Sequence, residues 1–485
     1  MPASVRIVPP QPNPSDILSG VNKRGLASFV GFKLQTAWDN SQLLNNHPIY
    51  ALFIQEHLVL MKGIARKVIQ SPVYMVLFAF VIRVVYTLMT RSYYFVGLWD
   101  LFEPANLARS LAIGHGYSDP YVVATGPSAL IPPMYPWITS LAFRVFGVFS
   151  HGAGFVMVVF NSVFSALTCW TIYRICNRVF NQTVAVWSGW LWAISPFAVY
   201  YSIGWIWETS MSTFLLSWLL LLTLQMEGDD RLLSWLGYAV LWGFVGLTNT
   251  AELAWLPFSG CWLLYHLYRR GQRFLLPVIL SAVAFWITLT PWLVRNYLVF
   301  GQVVFIRDNF GNELRAGNNP LAEGLKVVKF DSGRDPYLLN LYKEMGEAAI
   351  NAQQADVAKA WIANHPARFL QLCGRRFCYF WGNTPHNYGS DPFGWAKQVK
   401  NLFYAVSSLL AACGLILAIK RRVHGVFLFA TILLFYPLTY YITVPEPRYR
   451  HAIEPQMLML SVYLFWSLVV RLLPRRQPVQ DEVMA

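Results

Sequence analysis

Two carboxylates, Asp100 and Glu103, follow the first long apolar segment of the chain, residues 73–90. A charge at the margin of a bilayer costs free energy unless water, a partner or a substrate compensates for it. A positioned carboxylate can take a proton from a hydroxyl group as a general base. Both acids are therefore candidates for proton transfer at a membrane surface.

Further ionisable residues lie beside later apolar segments and on the same predicted face. They are the acids Glu208 and Glu252, the arginines Arg295, Arg307, Arg448 and Arg450, and His451. Arginine binds phosphate through charge-assisted hydrogen bonds, and it stabilises a phosphate whose negative charge grows as it leaves. Acids and arginines at one membrane face fit a reaction on an anionic lipid headgroup. Glycosyl transfer from a lipid phosphate joins the two roles.

The composition is that of a polytopic membrane protein. Of 485 residues, 56% are hydrophobic and only 13% are charged, which indicates a chain solvated largely by lipid. The net charge of +14 comes from short basic clusters at the ends of apolar segments. That distribution indicates membrane topology and excludes nucleic acid as a partner.

A membrane-spanning helix needs about 20 mostly apolar residues. Ten segments qualify, and they predict an all-α membrane protein: 73–90, 153–175, 183–201, 208–226, 232–249, 251–268, 274–292, 401–419, 424–442 and 455–473. With ten alternating spans, the basic clusters fall on one side, so both termini are predicted to be cytoplasmic.

The spans divide the chain into five regions. Residues 1–70 are predicted to be a cytoplasmic extension with an amphipathic part. Residues 71–292 hold spans 1–7 and a first outer loop at 91–152, and residues 293–400 form a second outer loop. Residues 401–475 hold spans 8–10, and residues 476–485 are a cytoplasmic tail. Within the second loop, 301–306 suggests a short strand, and 338–380 suggests helix interrupted at Pro366. Cys373 and Cys378 would point to different faces of that helix, which disfavours a disulfide.

Four groups of residues carry a resemblance to the GT-C superfamily of integral membrane glycosyltransferases, which includes protein O-mannosyltransferases and the lipid A aminoarabinose transferases (glycosyltransferase family 39 type). They are Glu103 through Tyr117; Thr125-Gly126-Pro127 with Pro132-Pro133-Met134-Tyr135-Pro136-Trp137 and Phe146-Gly147; Pro291 through Tyr297 with Phe300-Gly301, Asp308 through Gly311 and Gly317-Asn318-Asn319; and Tyr440-Tyr441 with Arg448-Tyr449-Arg450 and Glu454-Pro455.

The resemblance implies a GT-C fold, a polyprenyl-phosphate sugar as donor and an acid of the first outer loop as general base. Glu103 matches that position best. Asp100 remains a rival, because many relatives carry an adjacent Asp-Glu pair and these two acids are separated by two residues. Ile131 stands where some relatives have a lysine before the double proline.

Other residues must then hold the donor phosphate, and the candidates are Arg295, Arg448 and Arg450. Substrate contacts are expected from Tyr117, Tyr135, His451, Glu208 and Glu252. The predicted reaction is an inverting hexosyl or pentosyl transfer to an acceptor hydroxyl of a lipid, glycan or protein. The predicted site is the outer face of a bacterial cytoplasmic membrane, among membrane lipids. No spacing requires a metal, although a divalent ion is compatible with an acid-rich outer site.

Each assignment has a structural alternative. Glu103 could cap a helix that begins near Pro104, and Asp100 could be a loop residue. Glu208 and Glu252 could cap helices or form salt bridges, and the arginines near 448 could anchor the last span.

At the level of the whole protein, a transporter or flippase of a lipid-linked glycan is the main alternative. Transporters place polar groups near the bilayer midplane, whereas here the ionisable groups concentrate at one surface. A non-catalytic lipid-binding scaffold is the third alternative.

Overall fold

The computed structural model describes residues 67–95, 99, 102–272, 275–382 and 394–472, with side chains except at 394–397. The chain divides into two compact units, Met1–Gln70 and Ser71–Ala485. In the first unit only residues 67–70 are described, and they are helical. The predicted amphipathic extension before them, and Asp100, lie outside the described residues.

The second unit is built from helices. Its α-helices in chain order are α1 Pro72–Thr90, α2 Glu103–Ala112, α3 Met134–Phe146, α4 His151–Val179, α5 Gln182–Ala193, α6 Pro196–Ile203, α7 Thr209–Gln225, α8 Leu232–Gly246, α9 Leu256–Arg269, α10 Leu275–Phe300, α11 Phe310–Gly317, α12 Pro336–Met345, α13 Glu347–Asn364, α14 Pro366–Gly382, α15 Gly394–Lys420, α16 Val426–Phe435, α17 Leu438–Ile442, α18 Pro447–His451 and α19 Glu454–Leu472. Short 3₁₀ helices cover Ser92–Tyr94, Thr250–Trp255 and Val328–Phe330. The prediction of an all-α protein is confirmed.

The described residues contain no β-strand, and their β pairing is limited to one isolated bridge between Ser118 and Pro127. The expectation of a strand at 301–306 is therefore wrong. The carbonyl oxygens of Val304 and Ile306 accept hydrogen bonds from Asn296 and Trp292 of the preceding helix. Because side chains satisfy these backbone groups, the segment needs no partner strand.

Five helices are long and apolar enough to cross a membrane: Pro72–Thr90, His151–Val179, Leu275–Phe300, Gln398–Lys420 and Glu454–Leu472. Shorter apolar helices cover Thr209–Gln225, Leu232–Gly246 and Val426–Ile442. Proline breaks some of the predicted spans, since its ring cannot continue a helix. The segment 183–201 divides before Pro196, and 424–442 divides at Pro437. The count of ten spans remains a prediction.

Helix α4 is central to the bundle, where it packs against α1, α5 and α7. Helices α15 and α19 pack against each other closely at Gly414, where a Cβ atom would lie 2.2 Å from the carbonyl oxygen of Leu460. Small residues allow such close approach of helices in membranes.

The first outer loop consists mainly of helices α2 and α3, which pack against each other, and the segment between them. Gly114 and Gly116 have φ values of +88° and +77°, which glycine adopts without steric cost. They turn the chain after α2 and direct it towards Tyr117. In the second outer loop, α11 packs against α13, and α12–α14 confirm the predicted helical stretch interrupted at Pro366.

Candidate functional site

Glu103 is the first residue of α2, with Phe102 at the N-cap position and Pro104 in the first turn. Proline fits the first turn of a helix because its missing N–H would be unpaired there anyway. A carboxylate at the helix N-terminus interacts favourably with the helix dipole. The helix-start position expected as the structural alternative is therefore present, and it is compatible with a chemical role.

The surroundings of Glu103 favour a carboxylate that can exchange a proton. The Glu103 residue is partly buried, and part of it remains accessible to solvent. Burial raises the pKa of Glu103, while the positive charges of Arg448 and, more weakly, Lys326 oppose that rise. A raised pKa brings a carboxyl group closer to the range useful for a general base.

Glu208 and Glu252 lie close to the same region but in different environments. Glu208 precedes α7 and is partly accessible, and burial raises its pKa against the influence of Arg448. Glu252 is completely buried, and Ser212 donates a hydrogen bond to it. Of these two acids, Glu208 is the one that a substrate could reach.

Arg448 is the principal positive charge beside both Glu103 and Glu208. Its Nε lies 2.7 Å from a carboxylate oxygen of Glu446, and its guanidinium lies 3.9 Å from the ring centre of Trp207. Burial alone would lower the pKa of Arg448, but Glu446 and, more weakly, Glu103 and Glu208 raise it. The contact with Glu446 thus holds the guanidinium in place and favours its charged form.

A second cation that is mostly buried, Lys326, was missed from the sequence. Its Nζ lies 3.0 Å from Glu313 and 3.1 Å from Asp331. Burial opposes its charge, but the two carboxylates raise the pKa of Lys326 well above the ordinary value. Asn312 also donates a hydrogen bond to Asp331 at 3.3 Å. The sequence shows a lysine between two acids of the second outer loop, but it could not relate that lysine to Glu103.

Arg295 and Arg450, the other two phosphate candidates, donate to groups of the protein. Arg295 donates to the carbonyl oxygens of Ser128 at 2.6 Å and Tyr117 at 2.7 Å. Arg450 is buried, donates to Ser407 at 2.6 Å and lies 4.3 Å from the ring centre of Tyr404. These contacts join chain segments, so fewer donors remain for a phosphate.

His451 and the two predicted tyrosines are also engaged in the interior. The His451 ring is buried, and its Nδ1 lies 2.6 Å from a carboxylate oxygen of Glu454. Tyr117 donates to the carbonyl oxygen of Ile131 at 2.7 Å, and Tyr135 donates to Asn161 at 3.2 Å. Substrate contact by these three side chains remains a prediction.

The second outer loop binds the segment that precedes the double proline of the first. Arg307 donates to the carbonyl oxygen of Leu130 at 2.8 Å. A carboxylate oxygen of Glu347 accepts a hydrogen bond from the backbone N–H of Ala129 at 2.5 Å, and Tyr342 donates to its other oxygen. Sequence identified Arg307 but not Glu347. The two outer loops therefore form one structure around the end of the bundle.

A set of side chains suited to a metal ion lies elsewhere in the described part of the chain. It comprises Glu227, His266 and His424. Glu227 follows the C-terminal end of α7, whereas Glu208 precedes its N-terminal end. The set is therefore remote from the acids for which a divalent ion was considered from sequence.

The comparisons with known proteins bear on part of the chain. Residues 131–294 match the model of the family described as dolichyl-phosphate-mannose-protein mannosyltransferase. The match covers about a third of the 485 residues. It confirms the resemblance to GT-C glycosyltransferases over this segment, which contains Glu208 and Glu252 but neither Glu103 nor Arg448. No curated protein matches the sequence.

Three solved structures match this chain at low sequence identity and low TM-score. The Archaeoglobus fulgidus oligosaccharyltransferase in complex with Zn and sulfate is 12% identical, with a TM-score of 0.44, over 76% of this chain and 45% of that one. AglB of that organism, in complex with an inhibitory peptide and a dolichol-phosphate, is 14% identical, with a TM-score of 0.39, over 77% of this chain and 48% of that one. ArnT from Cupriavidus metallidurans bound to undecaprenyl phosphate is 13% identical, with a TM-score of 0.31, over 80% of this chain and 77% of that one. The chain spans about half the length of the archaeal structures, and with TM-scores below 0.5 these similarities assign no activity to it.

Proposed function

We propose that this protein is an inverting membrane glycosyltransferase that moves a sugar from a polyprenyl-phosphate donor to an acceptor hydroxyl. The observation that carries the proposal is Glu103, a partly accessible acid whose pKa is raised by burial, beside the permanent cation Arg448. Sugar transfer from a phosphate leaving group requires a base for the acceptor hydroxyl and a cation for the phosphate, close to each other. The family match at 131–294 supports the same class of reaction.

In the proposed mechanism Glu103 accepts the proton of the acceptor hydroxyl while that oxygen attacks the anomeric carbon of the sugar. The new carbon–oxygen bond forms as the bond from the anomeric carbon to the phosphate oxygen breaks, and the phosphate keeps the electron pair. One displacement without a covalent enzyme intermediate inverts the configuration, by the logic that governs inverting hydrolases. The proton remains on Glu103 until the products leave.

Arg448 is the best candidate to hold the leaving phosphate. Its charge is fixed by Glu446 and lies close to Glu103, so it could stabilise charge as it develops. Lys326 would contribute a second positive charge at longer range. Arg295 and Arg450 would act mainly by positioning the first loop and α15, since they donate to Ser128 and Ser407.

The donor's isoprenoid tail would lie along the apolar helices, with its phosphate at the end of the bundle that carries Glu103. From the distribution of basic residues, that end would face outward from a bacterial cytoplasmic membrane, and both termini would be cytoplasmic. The second outer loop would cover the site and select the acceptor. Its hydrogen bonds to residues 128–131 support this arrangement.

Mass spectrometry of co-purifying lipids tests the proposal. The experiment compares the wild type with Glu103→Gln and with the control Glu344→Gln, which changes an exposed acid in α12. Each protein would be extracted in polymer-bounded native membrane, so that detergent does not remove lipids. We expect polyprenyl phosphate in the wild type and the control. The glycosylated donor should accumulate in Glu103→Gln, because binding persists when proton transfer is lost.

Two outcomes would contradict the proposal. The absence of isoprenoid phosphate from all three preparations would remove the donor class. Equal amounts of glycosylated donor in all three, with no sugar transferred during incubation with the source membranes, would instead favour a transporter of a lipid-linked glycan.

A further inference from the structure

Three side chains with metal-binding atoms converge at the end of the bundle that is remote from Glu103. Glu227 follows α7, His266 lies in the last turn of α9, and His424 lies in the turn before α16. One ligand atom from each residue lies within 4.8 Å of the others. Because the three come from different parts of the sequence, only the tertiary fold brings them together.

This cluster is separate from the candidate active site. Helix α7 has 17 residues, so its ends are about 25 Å apart at 1.5 Å per residue. Glu208 precedes one end and Glu227 follows the other. The two sets of residues therefore cannot act on the same group.

The hydrogen bonds of the cluster leave one nitrogen free. His424 Nε2 lies 2.7 Å from one oxygen of Glu227, and the indole N–H of Trp262 donates to the other oxygen at 3.0 Å. His266 Nε2 is buried and has no hydrogen-bond partner among the described residues. A buried polar atom without a partner costs free energy, and a metal ion would remove that cost. The His424 side chain is 58% exposed, which gives an ion a path from solvent.

Two glycines allow the turns that carry these ligands. Gly228 follows Glu227 with φ of +80°, and a Cβ atom there would collide with the Arg270 side chain. Gly425 follows His424 with φ of +78°, and a Cβ atom there would lie 2.8 Å from Leu224. Both turns thus need a residue that accepts positive φ and close packing.

We propose that Glu227, His266 and His424 bind a divalent cation of the zinc class. Two imidazoles and one carboxylate are a ligand set that zinc accepts, with a fourth position left for water. Ligand distances of 2.0–2.2 Å place tetrahedral ligand atoms about 3.4 Å apart. Modest side-chain rotation would bring the present 4.8 Å spread to that value. Trp262 would hold the carboxylate from behind, as outer hydrogen bonds do at metal sites.

The site has a competing charge. Arg270 lies against Gly228 and its charge reaches His266. This cation weakens the attraction for a metal ion, and Glu227 is the only carboxylate in the cluster. We therefore expect the ion to serve as a structural link between the ends of α7, α9 and α16 with moderate affinity.

Titration of the purified full chain with zinc tests the site. The protein would be isolated through a tag without histidine, stripped with EDTA, and titrated with ZnCl₂ by calorimetry and with CoCl₂ by visible absorption. We expect one equivalent of either ion per chain and cobalt bands typical of a four-coordinate nitrogen and oxygen site. Zinc should also raise the thermal unfolding midpoint, since it binds the folded state preferentially.

Variants distinguish this site from adventitious binding. His266→Ala and His424→Ala should each weaken zinc binding at least tenfold, and Trp262→Phe should weaken it by roughly tenfold or more. His365→Ala, which removes an exposed histidine of the second outer loop, should bind as the wild type does. Gel filtration would confirm that each variant is folded. Less than one equivalent in the wild type, or unchanged binding in His266→Ala, would overturn the proposal and leave the Glu227–His424 pair as an ion pair only.

Discussion

At the scale of single residues, the candidate site depends on Glu103 and Arg448. Burial raises the pKa of Glu103, and Arg448 limits that rise. The same cation lies beside Glu208, so the two acids compete for one counter-charge. A direct comparison of Glu103 and Glu208 variants therefore tests the proposed base.

Replacing Glu103 by Gln should lower turnover at least about a hundredfold, because general-base catalysis typically contributes that much. Donor binding should change little, since the amide has nearly the same size and shape. Single-turnover sugar transfer with saturating donor would measure the loss. Glu208→Gln is expected to lose less, and Glu344→Gln none.

The pH dependence follows from the same pKa. The base must be deprotonated, so the wild-type rate should fall as pH is lowered through the raised pKa of Glu103. The small residual rate of Glu103→Gln should lack that step. Near-normal turnover in Glu103→Gln would rule out this residue as the base.

Replacing Arg448 by Met should lower kcat/KM for the donor about a hundredfold or more, the typical loss when a stabilising donor to a developing charge is removed. Arg448→Lys should recover part of the activity, because it keeps the charge but not the fork of N–H groups. Inhibition by free polyprenyl phosphate should weaken in parallel. The measurement is inhibition kinetics on both variants.

Arg375→Met is the matched control, since Arg375 pairs with Glu323 at the surface. It should behave as the wild type does. If Arg448→Met were inhibited by polyprenyl phosphate as strongly as the wild type, the phosphate would be held by other groups, and Arg295 and Arg450 would be tested next.

At the scale of elements, the two outer loops are joined through buried hydrogen bonds. Glu347 begins α13 and accepts a hydrogen bond from Ala129 of the first loop. Burial raises the pKa of Glu347 from 4.5 to about 7 despite that bond. The contact between loops is therefore sensitive to pH near neutrality.

Stability should fall as pH rises from about 4.5 to above 7. The folded state favours the protonated form of Glu347. Its contribution to the free energy of unfolding, up to about 3 kcal/mol, is complete below the pKa of the unfolded chain and is lost as pH rises through the pKa of the folded protein. Thermal unfolding midpoints across this range would measure the effect. Glu347→Gln should flatten the pH dependence, because the amide can replace the neutral acid.

Asp356→Asn is the control, since Asp356 lies exposed on the same helix. It should keep the wild-type pH dependence. A Glu347→Gln profile that overlays the wild type would show that other groups control stability in this range.

At the scale of the whole molecule, ionisable groups occupy both ends of an apolar helical bundle. The Glu103 end carries acids and cations within folded loops, and the opposite end carries the metal-type cluster Glu227, His266 and His424. The charge pattern predicts that the first end faces outward.

Labelling of single cysteines with an impermeant maleimide would test this orientation in a variant without the six native cysteines. Tyr337→Cys, at an exposed position in the second loop, should react in intact cells. Lys420→Cys, at the end of α15, should react only after permeabilisation. The reverse pattern would invert the predicted topology and place Glu103 on the cytoplasmic side.

The sequence by itself determined the membrane class and the helical fold. Long apolar runs suffice for this, because a lipid environment permits few backbone conformations other than helix. The start of α2 at Glu103 was also local information, since Pro104 marks the first turn. The absence of a strand at 301–306 was less accessible, because it depends on contacts with side chains such as Trp292.

Only the tertiary structure decided which charged groups meet. Arg448 and Arg450 are two residues apart, yet one lies beside Glu446 and Glu103 while the other binds Ser407 of α15. Likewise, Lys326 reaches the neighbourhood of Glu103 only through the fold of the second loop. Sequence patterns report burial along one helix or loop, whereas the convergence of side chains depends on packing between segments that are distant in the chain.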